Sequence, residues 1–334
     1  MFVHLRLHSE FSIVDGAVRL DDGVAAAAQD GQPALALTDL SNLFGAVKFY
    51  KAARDQGVKP IIGADVWLDP GLSPTQMAAM GPQAAQADRV LLLVQSWQGY
   101  LNLSELLARA WTQNTVRDQA WVKWSWLEEL SEGLVLLSGA ASGPVGKALL
   151  AGDMARASDW ALKMAQAFPH RFFIELQRAG GPDDERHVQA AATLAARLGL
   201  PVVATHPIQF IGPDDFESHE ARVCIANGEI LSDRKRVRRF TQEQYFKSQA
   251  QMQALFSDLP SAIENSVEIA RRCNLKFTLG KAQLPNFPTP VVNGQPMPMA
   301  DFFRQQSQEG LETRLQQLYP QESERERQRP TYQF

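Results

Sequence analysis

Short aliphatic and β-branched runs alternate with stretches of helical periodicity through the first two-thirds of the chain. The runs are Val3–Leu7, Ala34–Thr38, Ile61–Leu68, Val90–Gln95, Leu134–Ser138, Phe172–Gln177 and Val202–Thr205. Between them residues recur at helical spacing. Phe44, Val47, Tyr50, Lys51 and Arg54 mark one helix face, and the alanine-rich Val188–Leu198, stopped by Gly199, marks another helix. Strand, helix and strand in repetition predict parallel strands joined by right-handed crossovers. About seven such units suit a closed or nearly closed α/β barrel better than an open sheet.

After Phe210 the pattern becomes mainly helical, with helices expected over Gln242–Phe256 and Leu259–Cys273, the second with Pro260 in its first turn. A proline-rich passage, Leu284–Met299, follows. Missing N–H donors and restricted φ there disfavour both helix and sheet, so it is the expected linker. Asp301–Leu318 resumes as an amphipathic helix carrying Phe302, Phe303, Leu311, Leu315 and Leu318, before the charged tail Gln321–Arg329. An apolar helix face so late in the chain has little left to pack on, which predicts that the chain continues in its natural context. The expected organisation is a barrel over 1–211, a helical extension over 212–283, and a linker with a first further helix over 284–334.

With 334 residues, 45% hydrophobic and 21% charged, the chain can bury a substantial core. No window holds the roughly 18 apolar residues that a membrane span needs, and no signal-like N-terminus is present, so the expected address is cytoplasmic. Cys224 and Cys273 are too few for a disulfide framework and lack a zinc-type spacing. The net charge of -4 offers no general field for nucleic acid. The one basic run, Arg234–Arg239, suits either phosphate contact or a solvated loop.

In a barrel of parallel strands, reactive side chains gather where strands end. Read in that way, the chain offers His8, Ser9, Glu10 and Asp15 after the first run, Asp39 after the second, Asp65 within the third and His206 after the seventh. His8, Asp15, Asp39 and Asp65 together are of the types that hold a divalent ion. The bland reading stays open beside it: Asp39 as a cap or turn residue, Asp15 as a turn aspartate before Gly16, and His8 as a hydrogen-bonded core histidine.

The segment from Phe2 through His8-Ser9-Glu10-Phe11 to Asp15-Gly16, with Ala34–Asp39 and Lys59-Pro60-Ile61-Ile62-Gly63-Ala64-Asp65, resembles the start of bacterial DNA polymerase III alpha subunits. The resemblance continues through Gly99–Leu103, Gly133–Gly139, Pro201–Thr205, Asn265–Ala270 and Leu284–Pro290, and so spans nearly the whole chain. It implies an α/β fold, a distorted (β/α)7 barrel of the PHP (polymerase and histidinol phosphatase) type, followed by a helical region leading into a polymerase core. Intact members hold metal ions at the barrel mouth, and the implied chemistry is metal-assisted attack of water on a phosphodiester.

Against that pattern this chain departs at most ligand positions. Arg6 stands where a histidine would begin a His-x-His motif, Leu40 follows Asp39 in place of histidine, Asp65 replaces glutamate, and Ala140 replaces cysteine. Arg89 also stands where histidine is expected. Pro207-Ile208-Gln209 replaces the last Asp-x-His motif and leaves His206 offset. A guanidinium is permanently cationic and cannot coordinate a cation. The resemblance therefore implies vestigial metal positions at His8, Asp15, Asp39 and Asp65, no catalytic residues and no cofactor in this domain, and Arg6 paired with surviving carboxylates. Magnesium would serve the polymerase domain of the parent protein, a DNA-directed DNA polymerase whose catalytic aspartates lie beyond this region. The expected role is a non-catalytic scaffold that docks the proofreading exonuclease subunit. Other polymerase III holoenzyme subunits are further expected partners, with DNA reached through the rest of the parent protein and no membrane. The enzyme alternative is a residual metal-dependent phosphoesterase or 3′–5′ exonuclease, and a third reading is a DNA-binding module using Arg234–Arg239.

Overall fold

A computed structural model of the chain describes residues 1–71, 87–116, 118–233, 235–282 and 287–332. Eight strands share one sheet: β1 (Ala34–Leu37), β2 (Lys59–Leu68), β3 (Asp88–Val94), β4 (Thr115–Val116), β5 (Gln119–Val122), β6 (Leu134–Leu137), β7 (Phe172–Gln177) and β8 (Val202–Thr205). They pair in the order β4-β5-β2-β3-β6-β7-β8, with β1 also on β2. The first apolar run forms no regular strand. His4 bridges Leu35 of β1, and Leu7 bridges Ile208 just beyond β8, both in parallel. The Ala36 N–H donates to His4 O at 2.9 Å and the His8 N–H to Ile208 O at 3.0 Å. The N-terminal segment thus joins the two flanks of the sheet through isolated bridges, which gives the α/β fold its distortion.

Parallel strands throughout were expected, and β3 corrects this. It runs antiparallel to β2, with Leu68 opposite Asp88 and Gly63 opposite Leu93, and antiparallel to β6. The β1–β2, β2–β5, β6–β7 and β7–β8 pairs are parallel. A fully buried apolar strand carries the same hydrophobic signature in either direction, so the pattern does not record its polarity. One consequence is that the beginning of β3 lies beside the end of β2.

Helix α1 (Leu20–Gln29) precedes β1, and α2 (Ala46–Asp55), α3 (Trp97–Gln113), α4 (Trp124–Glu129), α5 (Pro144–Leu150), α6 (Met154–Ala167) and α7 (Asp184–Leu198) lie between the strands. Gly199 ends α7 with φ +65°, a left-handed conformation that glycine adopts without a Cβ penalty. On α2 the expected face is corrected: Ala46, Phe49, Tyr50 and Ala53 are buried, while Phe44 and Val47 are exposed. Ala46 and Ala53 flank the two aromatics, so small residues also mark the buried face.

Helices α8 (Phe216–Asn227), α9 (Gln249–Leu255) and α10 (Pro260–Arg272) follow the sheet. The helix expected over Gln242–Phe256 is shorter because its first residues have other partners. Phe210 bridges Tyr245, and the Gln209 N–H donates to Gln244 O at 2.9 Å. Helix α9 begins only at Ser248, whose hydroxyl accepts from the Gln251 N–H in a reciprocal capping box. Helix α10 covers the end of the sheet where most strands begin. Ser266 Oγ accepts from the Val3 N–H at 3.1 Å, and Asn265 donates to Val202 O at 2.7 Å. Ile269, Ala270 and Cys273 join Val3, Leu5, Ala36, Ile61, Leu91, Leu93, Val135, Leu137, Phe173 and Val203 in one apolar core.

The chain divides into two compact units, Met1–Lys276 and Phe277–Phe334. In the second, β9 (Val291–Val292) and β10 (Gln295–Pro296) form a small antiparallel hairpin where neither helix nor sheet was expected. Asn293 and Gly294, both at positive φ, supply the tight turn, and Pro296 occupies a two-stranded edge where little donor capacity is lost. Leu284, Pro285 and Asn286 of the proline-rich passage lie outside the described residues. Helix α11 (Met299–Leu318) is followed by α12 (Glu322–Tyr332), so the charged tail is helical, tied by the Arg329–Glu312 ion pair. Of the residues taken as the apolar face of α11, Leu315 is buried while Phe303 and Leu318 are exposed.

Candidate functional site

On three strands the face that builds the core turns from apolar to charged. Asp65 shares a face with Ile61 on β2, Arg89 with Leu91 on β3, and Glu175 with Phe173 on β7, because side chains two or four residues apart point the same way. The reversed direction of β3 brings Arg89, near its start, level with Trp67 near the end of β2. To this ring the N-terminal segment adds Arg6 and His8, and the loop after it adds Ser9, Ser12 and Asp15.

Arg6 lies at the centre. Its Nε and Nη2 donate to the two Glu175 carboxylate oxygens at 3.0 and 3.1 Å, and its Nη1 donates to Asp65 Oδ2 at 2.5 Å. Asp65 and Glu175 have no solvent exposure. This forked contact is one that a guanidinium makes and an ammonium cannot. Glu175 also accepts from the Gly139 N–H at 3.0 Å, from Gln177 Nε2 at 3.0 Å and from Thr205 Oγ1 at 2.5 Å. Gly139 allows this approach: its φ is +82°, and a Cβ there would stand 1.8 Å from Arg89 O. Arg89 Nη2 is 2.8 Å from Asp65 Oδ2 and 3.5 Å from Asp15 Oδ2, with its guanidinium 4.8 Å from the Trp67 ring centre.

His8 Nδ1 pairs with Asp15 Oδ1 at 2.8 Å, while Nε2 lies 3.3 Å from Asp65 Oδ2. Burial alone would lower the pKa of His8, but the adjacent charge of Asp15, its hydrogen bond and the nearby Asp65 raise it to about 9. His8 is therefore cationic at neutral pH. Burial would raise Asp15 and Asp65, yet the His8 charge holds Asp15 far below the usual carboxylate range, and the Arg6 and Arg89 charges hold Asp65 down to about 2. Three cations, Arg6, Arg89 and His8, thus face three anions, Asp15, Asp65 and Glu175.

Of the four residues singled out from the sequence, His8, Asp15 and Asp65 meet in this cluster. Asp39 lies at its edge, its oxygens accepting from the Ser9 N–H at 2.6 Å and Ser9 Oγ at 2.9 Å. Burial pushes its pKa up to about 6 despite those bonds. Ser12 Oγ donates to Asp15 Oδ1 at 2.7 Å and accepts from the Leu40 N–H at 3.0 Å. Gln209 Nε2 reaches within 3.5 Å of His8 Nδ1, whereas His206 turns aside and donates from Nε2 to Tyr245 O at 3.0 Å. Glu175 was missed from the sequence. Its signal was a lone carboxylate inside the apolar run Phe172–Leu176, where a buried charge requires a partner.

The donor set does not fit the metal ions that the family resemblance implies. Arg6 and Arg89 stand among the carboxylates and donate into the lone pairs that a metal would need, and a guanidinium has none to offer. Among the described residues, no group of three or more His, Cys, Asp and Glu side chains is arranged to hold an ion.

Comparison with known proteins agrees with the architecture. The family model described as "PHP domain" matches residues 4–179. The chain belongs to the PHP domain family. The PHP domain chain is 46% identical over 322 residues to the DNA polymerase III subunit alpha of Pseudomonas aeruginosa, covering 96% of this chain and 26% of that protein. It is 47% identical over 335 residues to the subunit of the same name from Neisseria meningitidis serogroup A, covering 99% of this chain and 28% of that protein. This PHP chain therefore spans about a quarter of the length of the curated relatives it matches. A solved amidohydrolase from Chromobacterium violaceum aligns with a TM-score of 0.43 at 17% identity, over 66% of this chain and 97% of that one. The similarity to polymerase III alpha subunits read from the N-terminal motifs is thus borne out.

Proposed function

We propose that this chain is the PHP region of a bacterial replicative DNA polymerase III alpha subunit, and that it is a non-catalytic scaffold on which the proofreading exonuclease subunit docks. The observation that carries the non-catalytic part is the placement of Arg6 and Arg89 among Asp15, Asp65 and Glu175. Hydrolysis of a phosphodiester by a metal-dependent site needs open coordination positions for water and substrate. Here Asp65 Oδ2, both Glu175 oxygens and both Asp15 oxygens are engaged by cations of the chain itself, while Asp65 Oδ1 has no hydrogen-bond partner. The cluster fixes the N-terminal segment to β2, β3 and β7, which supports a structural role.

The 42–47% identity to polymerase III alpha subunits over nearly the whole chain supports the replicative assignment, and the docking role is carried over from the family resemblance. Among the described residues no helix is long and apolar enough to cross a membrane, in keeping with a cytoplasmic replication protein. The test uses the 334-residue chain with single-stranded DNA and phosphate monoesters, in manganese, magnesium or zinc, and measures binding to the exonuclease subunit in parallel. The expected outcome is no hydrolysis above background and a stable complex with the exonuclease. Metal-dependent turnover that disappears on Asp65→Asn would show a working phosphoesterase, and failure to bind the exonuclease would remove the docking role.

A further inference from the structure

On the flank of the charged cluster a groove of about 730 Å³ opens between Ile13 and Val14, the 40–44 segment before α2, and the outward face of α3. Among the described residues no acidic or basic side chain lines it. We propose that it is a docking groove for an amphipathic helix of a partner protein, whose apolar face fills the groove and whose acidic edge lies along α2. The proposal goes beyond the scaffold reading and is independent of which protein brings the helix.

The spacing of side chains on α3 carries it. Trp97, Leu101, Ser104, Ala108 and Trp111 follow one another at alternating steps of four and three residues, the repeat by which one helix packs along another. Leu103, Leu106 and Ala110 already bury the other side of α3, so this second stripe is not needed for folding. Trp97, Leu101 and Trp111 are each about half exposed, and across the groove Phe44 and Ile13 are 68% exposed. Single exposed apolar residues are ordinary on a protein surface, whereas a contiguous patch of them marks a contact surface. Helix α3 has 17 residues, about 25 Å of length, which accommodates about four turns of a partner helix.

The charges around the groove set the partner's polarity. From Phe44 the wall continues along α2 through Val47, Lys48 and Lys51, all exposed. Lys48 has the part-exposed Glu10 at 3.5 Å, and Lys51 has no ion-pair partner among the described residues. Beyond α3, Arg109 is held between Glu105 and Glu129 and offers no free charge. Carboxylates on the α2 side of a partner helix therefore meet cations, while the uncharged lining gives a nucleic-acid backbone nothing to bind.

The test uses the 334-residue chain and a labelled synthetic helix of about 18 residues, with leucines at alternating steps of four and three and glutamates along one edge. Two control peptides accompany it, one with lysines for the glutamates and one with the leucines scrambled. Fluorescence anisotropy is expected to show saturable binding of the acidic helix, at least about tenfold weaker binding of the lysine helix at low salt, and none of the scrambled peptide. Phe44→Asp and Ala108→Asp, which put a charge into the apolar groove, should each weaken the acidic helix about tenfold or more. Lys48→Gln/Lys51→Gln should bring the affinities of the acidic and lysine helices together. Ile225→Asp, at an exposed apolar position on α8, should change nothing. Thermal melting checks that every variant folds. Failure of the acidic helix to bind, binding of the scrambled peptide, or equal losses in Ile225→Asp and Phe44→Asp overturns the groove. So does sedimentation of the chain alone as a dimer that Phe44→Asp dissociates, since a second copy is then the occupant. Each of these outcomes leaves the non-catalytic reading as it stands.

Discussion

Removing the Arg6 guanidinium would leave Glu175 buried with its charge uncompensated, while Asp65 would keep Arg89 and His8. Breaking a buried ion pair from one side costs about 3–5 kcal/mol, so Arg6→Ala is expected to lower unfolding stability by that order in urea titration. Arg6→Lys should recover only part, because one ammonium cannot span both carboxylates. A loss below about 1 kcal/mol for Arg6→Ala would place the cluster among ordinary surface pairs. His8, Asp15 and Asp39 were legible in the sequence because each follows an apolar run, and Asp65 because it is a charge within one. Their partners were less so. Arg6 meets Glu175 across 169 residues, and that meeting depends on the register of strands whose order the local pattern does not encode.

At the scale of elements, strand positions were readable and strand directions were not. Val90–Gln95 was placed correctly, yet its reversal, which delivers Arg89 to the site, left no trace in hydrophobicity. Gln242–Phe256 looked helical throughout because its first residues have helical composition, while their backbone groups pair with the 209–211 segment instead. Helix α2 offers a direct check on which face was misread. Phe49→Ala should destabilise by about 3–5 kcal/mol, as deletion of a fully buried aromatic does, whereas Phe44→Ala should stay within about 0.5 kcal/mol. Thermal or chemical unfolding of the two variants distinguishes them. Equal losses would mean that Phe44 is as well packed as Phe49.

For the whole molecule the ionisable interior sets a pH optimum. Burial lowers His4 and His187 to about 4 and His206 to about 3, so the unfolded chain binds more protons below pH ~6.5 and stability falls on acidification. Asp39, raised to about 6, offsets one of these. Below about pH 4, the depressed carboxylates of Asp15 and Asp65 lose their contribution as well. His8 acts with the opposite sign: its raised pKa contributes stability that is complete below about 6.5 and disappears as pH rises through about 9. The melting temperature should therefore peak near pH 6.5, and His8→Gln should flatten the alkaline limb. A melting temperature that keeps rising to pH 9 would contradict the His8 assignment. The two arginines at the centre have one more effect, on supply. A cation carried on the chain cannot be diluted, competed away or exchanged for a different metal. Once folded, the chain matches Asp15, Asp65 and Glu175 with charges of its own.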